Sequence, residues 1–233
     1  VATRRETIDG VRVVLLDAGG TLIDLDPDRL AAALEPLGIV PDEPSIRRAE
    51  GPARRWADRA VRRGIEPRDL WDGYFGRVLA GAGVPPDRVP RALERLWEAN
   101  RRDGLWRRPV PGARETLARL REAGLRLAVV SNAEGQVEAD LRDAGFADLL
   151  DLVIDSHLVG VAKPDPGIFR VALERLGAAP GACVHVGDVP AYDVEGARAA
   201  GITPVLVDRW EAWPDAGCAR IREIAELPPL LGA

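Results

Sequence analysis

Five residues of this chain have types and positions suited to chemistry. Asp17 directly follows an apolar run at 11–16. Ser131 follows another at 125–130. Asp188 and Asp193 lie five apart in Gly187-Asp188-Val189-Pro190-Ala191-Tyr192-Asp193, and Lys163 sits in Val161-Ala162-Lys163-Pro164-Asp165-Pro166. A carboxylate such as Asp17 can attack an electrophile or ligate a hard cation. Two further carboxylates in one loop are the oxygen ligands that Mg2+ prefers, with water completing its shell. Gly19 and Gly20 after Asp17 let the backbone approach an anion and offer N–H groups to it. Ser131 can donate its hydroxyl to a phosphoryl oxygen.

Lys163 is the only lysine, against 31 arginines. A chain that uses guanidinium for nearly all its positive charge has kept one ammonium. A compact point charge suits a phosphoryl oxygen or a carboxylate beside a metal, where a planar fork does not.

The elements that position these residues can be read from the pattern. Residues 11–16 read as a buried strand. Residues 25–108 read as helices at 28–37, 45–63, 67–82 and 86–101, with no strand pattern between them. Trp56, Trp71, Tyr74, Phe75, Trp97 and Trp106 fall in this stretch and are expected to build a small separate core. From Pro111 onward helix and strand alternate. Helices are expected at 112–123, 134–144, 165–176 and 194–200, and strands at 125–130, 149–154, 182–186 and 203–207. Asp165 is a predicted N-cap with Pro166 at the first helical position. Such alternation predicts an α/β fold with a parallel sheet covered by helices on both faces. Ligands of these sheets bind beyond the carboxyl ends of the strands. Asp17, Ser131 and Asp188 each end a predicted strand, and Lys163 precedes a helix that follows one. The topology therefore brings them to one edge.

At 233 residues, 46% hydrophobic and 30% charged, the composition is that of an ordinary globular protein. No apolar run approaches the ~20 residues needed to span a bilayer, so no membrane partner is expected. Residues 1–6 carry no apolar secretory core, and the cytoplasm is the expected address. Cys183 and Cys218 have neither disulfide-framework nor metal-site spacing. A net charge of −5 argues against nucleic-acid binding. Residues 25–108 hold 17 arginines and 14 acidic residues, a charge of +3, which leaves −8 on the remainder. A basic segment of this kind can recruit an anionic substrate. Oligomeric state is not legible.

Four motifs now stand in order: Leu16-Asp17-Ala18-Gly19-Gly20-Thr21-Leu22, Val130-Ser131-Asn132, Lys163-Pro164-Asp165-Pro166, and Gly187-Asp188 through Asp193 followed by Glu195-Gly196-Ala197. In this set, which spans nearly the whole chain, the sequence resembles the haloacid dehalogenase superfamily. The resemblance implies a Rossmann-like core at 1–24 and 109–233, with a helical cap inserted at 25–108. It implies Asp17 as a nucleophile that forms an aspartyl-phosphate, with Lys163 and Ser131 assisting. Mg2+ would be held by Asp17, the Gly19 carbonyl and Asp188, with Asp193 in support. Gly20, Thr21, Ser131, Asn132 and Lys163 would bind a small phosphorylated substrate.

One position departs from the pattern. The family's phosphatases usually carry an aspartate two residues after the nucleophile as general acid, and this chain has Gly19 there. Asp24 and Asp26 are candidate replacements, although a helix cap or a solvated carboxylate is the favoured reading of each. The expectation is an Mg2+-dependent phosphohydrolase slowed by the missing acid. The alternatives are a haloacid dehalogenase-like hydrolase and a non-catalytic phospholigand-binding protein on the same fold. Dehalogenase relatives need no Mg2+, so Asp188 with Asp193 favours the phosphohydrolase. The phosphonate-cleaving relatives use a cap lysine, and residues 25–108 contain none.

Overall fold

The computed structural model describes residues 7–233, so the reading of residues 1–6 lies outside it. The elements run β1 (Val13–Leu16), β2 (Ile23–Leu25), α1 (Pro27–Leu34), α2 (Glu43–Arg62), α3 (Pro67–Gly81), α4 (Val89–Asp103), β3 (Trp106–Pro109), α5 (Ala113–Glu122), β4 (Arg126–Ser131), α6 (Val137–Asp143), β5 (Leu152–Asp155), α7 (Ser156–Val159), α8 (Pro166–Leu176), β6 (Cys183–Gly187), α9 (Glu195–Ala199), β7 (Thr203–Val207), β8 (Ala219–Ile221) and α10 (Leu227–Leu230).

Six strands form one sheet in the order β5-β4-β1-β6-β7-β8, and β2 pairs with β3 in a second, two-stranded sheet. Every pair of neighbours in the large sheet is parallel. The α/β architecture expected from the alternating pattern is present. β1 lies between β4 and β6, in register Leu16↔Val129 and Leu16↔Val186. The strand order reverses there, and such a switch point opens a crevice beyond the carboxyl ends.

Period-two alternation decides which side chains face which layer. Val13, Leu15, Ala128 and Val130 pack with Ile168, Phe169 and Ala172 of α8. Val14, Leu16, Leu127 and Val129 point to the opposite face and are also fully buried. Burial on both faces is why these strands read as continuous apolar runs. Each such side chain contributes about 1.5–3 kcal/mol of hydrophobic stabilisation. Asp165 caps α8 by accepting from Gly167 N at 2.7 Å. The helix starts at Pro166, so Lys163 belongs to the turn before it.

The chain divides into two compact units, Val1–Asp24 with Arg108–Ala233, and Leu25–Arg107. In the second unit Trp71, Tyr74, Phe75, Trp97 and Trp106 make a connected set of ring contacts, with centroids 5.4–6.3 Å apart. Trp56 stacks instead against the Arg77 guanidinium at 3.8 Å. Short strands β2, β3 and β8 were not predicted from the sequence. Each has only three or four residues, too few for a period to declare itself.

Candidate active site

A cluster of buried charges in the first unit lies at the carboxyl end of β1. The Lys163 ammonium lies 2.7 Å from Asp17 Oδ1 and 2.7 Å from Asp193 Oδ1. All three residues are almost fully buried. Asp17, Asp188 and Asp193 each offer a carboxylate oxygen, and these oxygens lie within 4.8 Å of one another. That spacing and donor set fit a divalent cation with hard oxygen ligands.

Local sequence explains each placement. Asp17 extends β1, with its N–H donating to Val186 O at 2.8 Å. The next turn wraps around the Ala18 carbonyl, which accepts from Thr21, Leu22 and Ile23 N–H at 2.8–3.2 Å. Gly20 takes the positive φ this turn requires, 79°, and its N–H donates to Ile23 O at 2.7 Å. Gly19 is not among the positive-φ glycines. The backbone donors of Gly20 and Thr21 are thus committed within the loop. The Thr21 hydroxyl is buried with no hydrogen-bond partner among the described residues.

Asp193 sits in a single π-helical turn, Pro190–Val194. Its Oδ2 accepts from Asp188 N and Val189 N at 3.1 and 2.9 Å. Its Oδ1 contacts Lys163 and His185 Nε2, the latter at 3.0 Å. The carboxylate occupies the space that a Cβ at Gly187 would take, 2.2 Å from Asp193 Cγ. Only glycine at 187 leaves that room. Asn132, next to the buried Ser131 at the end of β4, accepts from Lys163 N at 2.7 Å and donates to Lys163 O at 2.9 Å. Its amide therefore clamps the lysine's backbone and ties the second motif to the third.

The electrostatics separate the two carboxylates that share Lys163. Burial works to raise Asp193, but Lys163 and the His185 hydrogen bond outweigh it and hold the group far below the ordinary carboxylate range. Burial raises Asp17 more than Lys163 lowers it, and the charge of Asp193 adds to the rise. Burial works to lower Lys163, yet Asp17 and Asp193 together raise it. Two carboxylates thus share one ammonium, and their shifts run in opposite directions. Tyr192, pushed up to about 12 mainly by burial, stays a neutral phenol.

Asp24 and Asp26 are both engaged, Asp26 in the helix cap that its sequence position favours. Asp24 makes two contacts with Arg209 Nη1, at 2.8 and 2.7 Å. Asp26 caps α1, accepting from Asp28 N and Arg29 N. Neither carboxylate is an uncommitted acid. Sequence reading missed His185, whose signal was a single polar residue in an otherwise apolar strand just before Gly187-Asp188. It also missed Arg209, which is distant from Asp24 in sequence and has no local signal.

No helix among the described residues is long and apolar enough to cross a membrane. Residues 11–201 match the family model of the haloacid dehalogenase-like hydrolases. The chain is 38% identical over 173 residues to a phosphoserine phosphatase of Thermus thermophilus, covering 69% of this chain and 68% of that protein. It is 32% identical over 206 residues to haloacid dehalogenase-like hydrolase domain-containing protein 3 of Mus musculus, covering 84% and 82%. The HAD-hydrolase YfnB of Bacillus subtilis, solved bound to magnesium, shares the fold with a TM-score of 0.68 at 20% identity, over 96% of this chain and 99% of that one. With its four motifs assembled around one parallel sheet and its matches running through both units, the chain belongs to the haloacid dehalogenase-like hydrolases.

Proposed function

We propose that the protein is a phosphohydrolase that uses Mg2+ and transfers a phosphoryl group from a small phosphorylated metabolite to Asp17, then to water. The observation that carries this reading is the shared ammonium of Lys163, 2.7 Å from both Asp17 and Asp193, beside three convergent carboxylates. The residues at 1–24 and 109–233 act as the catalytic core, and those at 25–108 as a helical cap that selects substrate.

Asp17 and Asp188, with the Gly19 carbonyl, would hold Mg2+, and Asp193 supports them from behind through Lys163 and the Asp188 N–H. The ion supplies positive charge that lowers the Asp17 pKa and screens the transferring phosphoryl oxygens. Asp17 attacks phosphorus and forms a P–O bond as the bond to the leaving oxygen breaks, which takes away its electron pair. Lys163 and Ser131 meet the phosphoryl oxygens, and Asn132 positions Lys163. Gly20 and Thr21 shape the turn that carries Asp17. Water then cleaves the aspartyl-phosphate.

Gly19 leaves the leaving oxygen without the family's usual proton donor, and Asp24 and Asp26 are engaged elsewhere. Substrates with weakly basic leaving groups are therefore favoured. Acid–base assistance is typically worth ~10^2–10^4 in rate.

The test is hydrolysis of p-nitrophenyl phosphate with and without Mg2+, run beside an alkyl phosphate and a 2-haloacid. The expected result is Mg2+-dependent release of p-nitrophenol, far slower turnover of the alkyl ester, and loss of roughly 100-fold or more in Lys163→Arg. Chloride release without metal identifies a dehalogenase. Phosphate binding with no turnover of any ester identifies a binding protein.

A further inference from the structure

His185 is fully buried in β6, between the apolar Val184 and Val186. Its ring lies edge-on to Phe169, with centroids 4.8 Å apart and planes at 78°. Nε2 lies 3.0 Å from Asp193 Oδ1, the same oxygen that takes Lys163. Nδ1 is buried with no hydrogen-bond partner among the described residues. A carboxylate held as an anion can only accept, so the ring nitrogen facing it carries the hydrogen. The hydrogen that meets Asp193 is therefore on Nε2.

A half-satisfied histidine is a costly way to fill a strand interior. A leucine would place no unpartnered ring nitrogen there. What the histidine adds is a second donor on Asp193 Oδ1. We infer that His185 is a positioning residue whose Nε2–H fixes the Asp193 carboxylate so that the Lys163 ammonium is shared with Asp17 rather than drawn wholly to Asp193. With the imidazole in place, Asp193 has four donors: Lys163, His185 and the backbone N–H groups of Asp188 and Val189. Without it, Oδ1 has Lys163 alone, and the ammonium moves off Asp17. The inference deepens the phosphohydrolase reading and rests on it for its kinetic consequence only.

The test uses two substitutions in the full chain. His185→Gln keeps an N–H donor, and His185→Leu removes it. The chain has one lysine and two histidines, so 15N labelling gives a single side-chain ammonium resonance and two easily separated imidazoles. The expected wild-type ring carries hydrogen on Nε2. His185→Leu should keep the melting temperature, shift the Lys163 Nζ resonance, and lower kcat roughly 10- to 100-fold with KM nearly unchanged, while His185→Gln restores both readouts. An unshifted Nζ resonance in the leucine variant, a glutamine variant no better than leucine, or a wild-type ring without hydrogen on Nε2 overturns the inference. If the leucine variant does not fold, the ring nitrogens and the glutamine variant still decide. If the wild type turns over no phosphate ester, the functional reading falls, and the two resonances still judge His185.

Discussion

Both units bury charge, and they do so in opposite ways. In the second unit Glu50 and Arg54 are one helical turn apart on α2, 3.9 Å from each other. The Arg54 guanidinium lies over the rings of Tyr74 and Trp106 at 5.9 and 5.7 Å, and Tyr74 donates to Glu50 at 3.3 Å. That arrangement comes from one helix and the aromatic faces around it. In the first unit Asp17, Lys163 and Asp193 come from three separate segments and meet only because β1 lies between β4 and β6. The pair on α2 lies within a single helix, among aromatic faces. The distant trio has short contacts, and its two carboxylates share one ammonium. Convergence of charges from distant segments is what a site requires, whereas an i,i+4 pair needs only its own helix.

That contrast can be broken at several points. The largest effect should come from Asp193→Asn, which leaves Lys163 buried with only Asp17 and removes a carboxylate holding four donors. Breaking one side of a buried pair costs ~3–5 kcal/mol, so chemical denaturation should show a loss of that order. A loss below ~1 kcal/mol would mean the trio is no more demanding than the pair on α2. Gly187→Ala comes next. Its Cβ would meet Asp193 Cγ at 2.2 Å, so a cost of ~1–3 kcal/mol is expected with a fall in Mg2+ affinity by calorimetry. Unchanged metal binding would show that the Asp193 position does not govern the metal site.

Asp17 should behave in the opposite sense to Asp193. Its folded pKa is raised, so its contribution to stability is full below the ordinary carboxylate value of 3.8 and is lost as pH rises through the folded value. Asp193 is depressed, so its contribution is present above that range and is lost as pH falls through its folded value. Asp17→Asn should therefore raise the melting temperature at pH 7 without Mg2+ while abolishing turnover, and the gain should fade towards pH 3. A variant less stable than wild type at pH 7 contradicts a raised Asp17 pKa.

Smaller still should be the double substitution Glu50→Leu with Arg54→Met. Replacing a buried pair by apolar groups of similar size is often neutral or stabilising, so stability should change by less than about 1 kcal/mol. The smallest effect should be electrostatic recruitment by the +3 charge of residues 25–108. kcat/KM should fall modestly from low to physiological salt with kcat nearly flat. A flat kcat/KM assigns those arginines to solvation and helix pairing.

The parallel sheet was legible because its strands are buried on both faces and end at Gly or Ser turns. Asp17 and Asp188 stood out for the same reason, each being a carboxylate at the end of an apolar run. The saturation of Asp193, the clamp of Asn132 on Lys163 and the contact of His185 were not legible. Each depends on a side chain from another segment, and periodicity carries no information about that. Asp24 shows the limit most clearly, because its partner Arg209 lies beyond the last of the four motifs.

The place of β1 has a consequence for how the chain is made. Its four residues are made before either neighbour, since those begin at Arg126 and Cys183. At synthesis rates of ~5–20 residues per second, Val13–Leu16 waits roughly 5–20 s for its first partner and longer for its second. The helices of residues 25–107 emerge in that interval and depend on contacts close in sequence. The central strand of the sheet is therefore made well before the strands that flank it, and Asp17 is made long before the Lys163 ammonium that meets it.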